Sequence, residues 1–245
     1  MLILEVGVRV KQSGDAGTDP FPGQRIRRGL LFTGPAATLL YIGLDTFAAR
    51  RHVGYDYAGQ TISELSAVGA PTRPLWLPVA SIYSLLMIAF SFGVWLSAGP
   101  RLALRVVALI TAAVGIVGLL GWPFAPMHRR EVLAAGGGTR SDRVHLVLGG
   151  VDAILFTSAA ALGATTLGRR FRIYSILTIL LLLGFGAAMS ADSPRLAKNE
   201  PTPWIGIKER IAIFGSMIWM AVLGIALQRA EGVSDPRNRE RTADA

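Results

Sequence analysis

The stretch LALRVVALITAAVGIVGLLGW occupies residues 102–122 and carries one charged side chain, that of Arg105. A helix needs about 20 mostly apolar residues to cross the core of a bilayer. Inside lipid the backbone has to satisfy its own hydrogen bonds, which a helix does within one segment. The stretch therefore predicts a transmembrane helix.

Five further stretches share this length and apolar character. Together they predict six spans, at residues 29–49, 75–98, 102–122, 144–167, 173–191 and 205–227. The predicted fold class is all-α, a polytopic transmembrane bundle of six helices over residues 29–228. We expect a flexible cytoplasmic tail at residues 1–28 and a disordered cytoplasmic tail at residues 229–245.

The composition agrees with a membrane protein. Hydrophobic residues make up 51% of the 245 residues, charged residues make up 17%, and the net charge is +9. In membrane proteins a basic surplus sits mainly in cytoplasmic flanks that face anionic lipid. We therefore expect membrane lipids as partners and no nucleic acid. The chain has no cysteine, which excludes disulfides and thiolate nucleophiles, and nothing in the sequence indicates a cofactor.

An even number of spans puts both ends of the chain on the same side. Of the 25 lysines and arginines, 14 then fall on that side, and Arg25, Arg27 and Arg28 adjoin the first span. Basic residues in short loops and span flanks mark the cytoplasmic side. We predict that both termini are cytoplasmic.

The three connections on the opposite side are long and polar, and they occupy residues 50–74, 123–143 and 192–204. His52, His128 and His145 lie in these connections or beside them. A polar cluster at one membrane face is typical of a functional vestibule. Short turns on the other face would give the same asymmetry without any function.

The first of these connections contains Ile62-Ser63-Glu64-Leu65-Ser66-Ala67. Ser63 and Glu64 are predicted to cap a short helix in the interface, because serine accepts from free amides and glutamate suits the positive helix end. The functional alternative is that Glu64 or Asp56 binds a cation, a headgroup or a proton.

Further polar residues open the fourth and sixth spans. Asp142, His145 and Asp152 share one helical face, and a carboxylate as deep as Asp152 is costly in lipid. We expect it to have a partner, either His145, Arg210 or Lys208, forming a structural pair or a proton relay. Charges at the mouth of a span usually snorkel or pair locally. The functional alternative predicts that Glu209 or Arg210 reaches Asp152 or Glu64 across the bundle.

The histidines raise the question of a metal. His52, His128 and His145 have the right residue type for zinc, but their spacing matches no local ligand motif. The sequence also lacks a nucleophile elbow, a phosphate loop and a metalloprotease helix motif. A metal site therefore stays a minor alternative.

Small and aromatic residues suggest how the helices pack. Gly115, Gly118 and Gly121 in the third span, and Gly149 and Gly150 in the fourth, are predicted to let helix backbones approach closely. Trp76, Trp122 and Trp204 lie at predicted outer span ends, where indole rings anchor to headgroups.

The chain resembles the bacterial membrane family called domain of unknown function 998. The resemblance covers about residues 30–227, and it rests on the six-span plan and these motifs: Ile62 to Ala67, Trp122-Pro123-Phe124, His145, and Glu209-Arg210. This sequence departs from the family pattern at Glu64, where aspartate is commoner, at Ser66, where glycine is, and at the unusual acid Asp152. A more distant likeness runs to the DRAM and Frag-type membrane proteins. The family resemblance implies a multi-pass protein of the bacterial inner membrane without an established activity.

These observations lead to one functional hypothesis and two alternatives. The protein is expected to bind or organise a lipid or small amphiphile in an outer-leaflet vestibule, without catalysis. The candidate ligand-binding residues are Ser63, Glu64, His128, His145, Asp152, Glu209 and Arg210. The alternatives are a membrane-embedded metal-dependent hydrolase and a proton-coupled transporter working through Asp152. The oligomeric state is left open.

Overall fold

The computed structural model describes residues 22–232, and this part of the chain is helical. Its helices are α1 (Pro22–Arg51), α2 (Ile62–Leu65), α3 (Arg73–Ala98), α4 (Leu102–Ile116), α5 (Arg130–Ala134), α6 (Arg140–Gly163), α7 (Arg169–Ala197) and α8 (Ile205–Gly232). Helix α4 continues through a π-helical turn (Val117–Gly121) and a 3₁₀ turn (Trp122–Phe124).

Six of these helices are long and apolar enough to cross a membrane: α1, α3, α4 with its two turns, α6, α7 and α8. The predicted fold class is therefore confirmed, and the chain is a multi-pass membrane protein. Helix α1 begins at Pro22, so residues 22–28 are helical where the sequence predicted a tail. The expectations for residues 1–21 and 233–245 lie outside the described residues.

Two other boundaries differ from the prediction. Helix α7 extends beyond residues 173–191 at both ends, because helical hydrogen bonding continues into the polar residues outside the apolar stretch. Helix α6 ends at Gly163, before the predicted residue 167. The hydroxyl groups of Thr165 and Thr166 bond back to the carbonyls of Leu162 and Gly163, which ends the helix.

The six long helices form a closed ring. Each long helix packs against the next one along the chain, and α8 packs against α1. Short turns join α3 to α4 and α6 to α7, and the order of packing along the chain is that of an up-and-down bundle. The ring encloses a large apolar core, in which Phe90, Trp219, Met220 and Leu223 are fully buried.

The glycine prediction holds for the third span and fails for the fourth. A Cβ atom at Gly115 would lie 2.6 Å from Cγ1 of Ile88, so α3 and α4 approach closely at this point. At Gly150 a Cβ would meet no atom within 4 Å. The face of α6 that carries Gly149 and Gly150 is exposed, because the helix turns its other side to the ring.

Two long connections fold over one end of the ring. We call residues 52–72 and 125–139 together the cap. The two segments meet where the amide of Val68 donates to the carbonyl of Met127 (2.9 Å). Beneath the cap, Trp76 is buried beside Leu65, so its predicted role as a headgroup anchor is wrong. Its ring packs edge-on against Tyr41 instead.

Candidate functional site

The short helix α2 brings the first polar motif to the cap. Thr61 is its N-cap, and the Glu64 carboxylate accepts from the Thr61 amide (2.7 Å) in a capping box. Glu64 thus has the predicted capping role. Thr61 provides the N-cap that was expected of Ser63, which leaves the Ser63 hydroxyl available for other contacts.

Glu64 is also paired with a charge from the second cap segment. Nε and Nη2 of Arg130 donate to its two carboxylate oxygens at 2.7 and 2.8 Å, and Glu64 is buried. Burial alone would lower the pKa of Arg130, but the hydrogen bonds to Glu64 raise it above its usual value. The pair ties the two cap segments together as ions.

Arg210 of α8 forms a second buried ion pair, with Asp45 of α1. The distances are 3.0 Å from Nε and 2.9 Å from Nη2 to the two carboxylate oxygens. Arg210 also donates to the Tyr57 carbonyl and lies 3.6 Å from the centre of the Tyr57 ring. The prediction that Arg210 reaches Asp152 or Glu64 is therefore wrong.

Ser63, His145 and Glu209 meet beneath the cap. Nε2 of His145 lies 3.0 Å from Oγ of Ser63, and Oε1 of Glu209 lies 3.5 Å from the same oxygen. The other carboxylate oxygen of Glu209 accepts from the Ile62 amide. Glu209 thus contacts α2 rather than Asp152 or the Glu64 side chain, contrary to the prediction. Three of the predicted site residues converge here.

The orientation of His145 follows from how α4 ends. The last turn of α4 ends at Phe124, and Pro126 disfavours helical backbone at Ala125. The Ala125 carbonyl therefore has no amide of a continuing helix to bind. Nδ1 of His145 lies 2.8 Å from this oxygen, and the Trp122 ring packs edge-on against the imidazole with centroids 4.7 Å apart. The imidazole is therefore held from two sides.

His128 lies in a separate part of the cap. Its amide and Nδ1 contact the two oxygens of Asp142 at 2.7 and 3.0 Å. Asp142 also accepts from the Thr139 amide, in the capping box of α6. His128 therefore fastens the second cap segment to α6, and it does not contact the Ser63 cluster.

Asp152 lies deeper in α6 and has a partner that the sequence analysis missed. The indole Nε1 of Trp122 donates to Oδ2 at 3.0 Å. None of the predicted partners, His145, Arg210 or Lys208, bonds to it, and Lys208 pairs with Asp192. The other oxygen, Oδ1, is buried and has no partner among the described residues.

The three histidines do not gather around one point. His52 stacks on Tyr55, while His128 and His145 occupy the two places described above. Within residues 22–232 no three histidine, aspartate or glutamate side chains are arranged to hold a metal ion. The described residues therefore give the metal-site alternative no support.

Sequence reasoning also missed two ion partners. Asp45 is a carboxylate inside an apolar stretch, and such a residue has to find a partner on another helix. The sequence therefore allowed a match with Arg210, which is one of two cations in the predicted span at residues 205–227. Arg130 gives no such signal, because it is one of several arginines in a loop.

The surface at the cap end of the ring carries exposed arginines beside the exposed acids Asp56, Glu131 and Glu200. Five of these arginines are exposed and form no ion pair within residues 22–232. They are Arg50, Arg51, Arg129, Arg140 and Arg143. Arginine guanidinium groups bind phosphate through paired donors. This surface therefore favours anionic groups.

Comparison with known proteins identifies a family. The family described as "Protein of unknown function (DUF998)" matches residues 35–226. No curated protein and no solved structure matches the chain.

Proposed function

Because this chain belongs to the DUF998 family, whose function is unknown, we propose a function from the site itself. The protein binds the polar head of a membrane lipid, or of a similar amphiphile, where the cap meets the ring. The acyl part of the ligand stays in the surrounding lipid.

The proposal rests on the convergence of Ser63, His145 and Glu209. The strongest nearby charges neutralise each other in the Asp45–Arg210 and Glu64–Arg130 pairs, so they are not free for a ligand. The Ser63 hydroxyl, the His145 imidazole and the Glu209 carboxylate face one another and form no ion pair within residues 22–232. A headgroup that enters here finds both donors and acceptors.

Two features of the surroundings favour an anionic lipid. The five exposed arginines listed above surround the cap and suit a phosphate group. The large side chains of Phe124 and Trp204 are 81% and 63% exposed near the ends of their spans. Aromatic rings at this depth suit the boundary between headgroups and acyl chains.

For the location, we propose the bacterial inner membrane with both termini cytoplasmic. The cap then lies at the outer leaflet, and the basic turns between α3 and α4 and between α6 and α7 lie in the cytoplasm. The likeness to the DRAM and Frag-type proteins stays a prediction.

Lipid retention tests the proposal. The full chain is purified in detergent, incubated with phosphatidylglycerol, and analysed by native mass spectrometry. We expect fewer bound lipids for the double variant Arg129→Ala/Arg143→Ala. The control is Arg105→Ala, because Arg105 is exposed at the opposite end of the ring. Equal lipid retention by the double variant and the control would contradict the proposal.

A further inference from the structure

We propose that Ser63 and His145 form a catalytic dyad that hydrolyses the acyl ester of a bound lipid, with Ser63 as nucleophile and His145 as general base. This inference rests on the proposed lipid binding and names the chemistry of the same site. It needs no metal ion, unlike the hydrolase considered from the sequence.

The hydrogen bonds of His145 set its tautomer. A carbonyl oxygen only accepts, so the contact between Nδ1 and the Ala125 carbonyl (2.8 Å) requires a proton on Nδ1. In the neutral imidazole Nε2 then carries the lone pair. The Ser63 hydroxyl, 3.0 Å away, donates to it. This is the arrangement in which a histidine accepts the proton of an attacking serine.

The third group of a triad is supplied in part by the backbone. The Ala125 carbonyl orients the imidazole, as a carboxylate does in other serine enzymes. Glu209 lies on another side of Ser63, 3.5 Å from Oγ, and is anchored by the Ile62 amide. Glu209 competes with His145 for this hydroxyl, because the Ser63 hydroxyl has one proton and donates it either to His145 or to Glu209. The dyad uses the donation to His145.

A donor for the developing oxyanion is also present. The backbone amide of Ser63 donates no hydrogen bond to any residue of the described range. It belongs to the same residue as the nucleophile, and we assign it as the donor to the negative oxygen of the tetrahedral intermediate, because backbone amides stabilise such an oxygen when they point at it.

The height of the pair in the membrane indicates the substrate class. His145 contacts Trp122, which ends a span, and indole rings prefer the layer between headgroups and acyl chains. The ester carbonyls of glycerolipids lie in this layer. Ser63 is only partly buried, so a lipid that lies against the cap can place an ester carbonyl next to its hydroxyl.

The reaction proceeds in two balanced steps. Oγ of Ser63 attacks the ester carbonyl carbon while its proton moves to Nε2 of His145. The bond to the lipid alcohol breaks, that alcohol leaves with the proton from Nε2, and the acyl group remains on Ser63. Water then attacks the acyl carbon and gives a proton to Nε2. The fatty acid leaves, and Ser63 regains its proton from His145.

Covalent labelling tests the dyad in the wild-type protein. The full chain in phosphatidylglycerol nanodiscs is treated with a fluorophosphonate, and peptide mass spectrometry locates the adduct. We expect an adduct on Ser63 and none on Ser66, a serine of the same segment whose hydroxyl bonds to the Ser63 carbonyl. An adduct elsewhere, or none, would overturn the dyad without requiring any variant to fold.

Release of free fatty acid from the nanodisc lipid gives the second measurement. Ser63→Ala and His145→Gln should each lower kcat by at least about 10³-fold, while Ser66→Ala keeps wild-type release. Native mass spectrometry of the same samples separates the two proposals. Retained lipid without any turnover by the wild type refutes the dyad and leaves lipid binding standing. Turnover that survives Ser63→Ala also refutes it.

Discussion

Arg210 of α8 donates two hydrogen bonds to Asp45 of α1, although the two residues are 165 positions apart in the chain. Asp45 is 0% exposed and Arg210 is 3% exposed. The pair joins the first and last long helices at the cap end, and Arg210 also holds the Tyr57 carbonyl of the cap. The Arg210 guanidinium group thus links the first and last long helices and also binds the cap above them.

The first prediction concerns this pair. Arg210→Met removes the partner of a buried carboxylate, which typically costs about 3–5 kcal/mol. We expect a clear fall in the thermal unfolding temperature of the detergent-purified protein. Arg195→Ala is the control, since the Arg195–Glu200 pair is about half exposed and exposed pairs contribute roughly 0–1 kcal/mol. Equal effects of the two substitutions would show that Arg210 is not essential for ring closure.

The second prediction concerns Asp152. Its Oδ2 accepts from Trp122, but its Oδ1 is buried without a partner among the described residues. An asparagine keeps an oxygen for the indole and removes a costly charge. Asp152→Asn should therefore unfold at a temperature equal to or above that of the wild type. Asp192→Asn, which breaks the bond to Lys208, should not raise it.

A marked loss of stability in Asp152→Asn would contradict this reading. It would mean that a cation that is not part of the chain balances the Asp152 carboxylate, as in a proton-coupled or ion-coupled transporter. The transporter alternative would then gain support, and a transport assay on the same variant would be the next measurement.

The spans were predictable from the sequence, because the need to satisfy every backbone amide in lipid leaves a strong apolar signature. The order of the helices around the ring was not. The pairing of Glu64 with Arg130 depends on how the two cap segments meet, and a composition pattern does not carry that information. The prediction of close packing at Gly149 and Gly150 was wrong, because a small residue permits close packing without requiring it.

The site was predicted in part. Ser63, His145 and Glu209 were chosen as unusual polar residues near one membrane face, and they do converge. Their roles toward one another depend on two features without a clear sequence signal. These are the carbonyl of Ala125, freed by the way α4 ends, and the capping of α2 by Thr61 in place of Ser63.

The third prediction concerns the contact between the cap and α8. A Cβ atom at Gly206 would overlap the Gln60 carbonyl oxygen and lie 2.6 Å from the Tyr57 carbonyl oxygen. Gly206→Ala should push the cap away from α8 at a cost of about 1–3 kcal/mol, measured by thermal unfolding. Gly43→Ala is the control, because a Cβ at Gly43 meets no atom within 4 Å. A wild-type unfolding temperature for Gly206→Ala would show that the cap does not rest on α8.

The fourth prediction concerns orientation, and the composition of the chain makes it simple to test. The chain has no cysteine, so single cysteines can be introduced without removing others. Arg143 lies on the exposed first turn of α6 at the cap end, and Gly99 lies on the exposed turn between α3 and α4. The two test variants are Arg143→Cys and Gly99→Cys. With both termini cytoplasmic, a membrane-impermeant maleimide added to intact cells should label Arg143→Cys and spare Gly99→Cys. Permeabilised cells should label both, which controls for access. The reverse pattern would place the cap in the cytoplasm, and the basic surface around it would then face the inner leaflet.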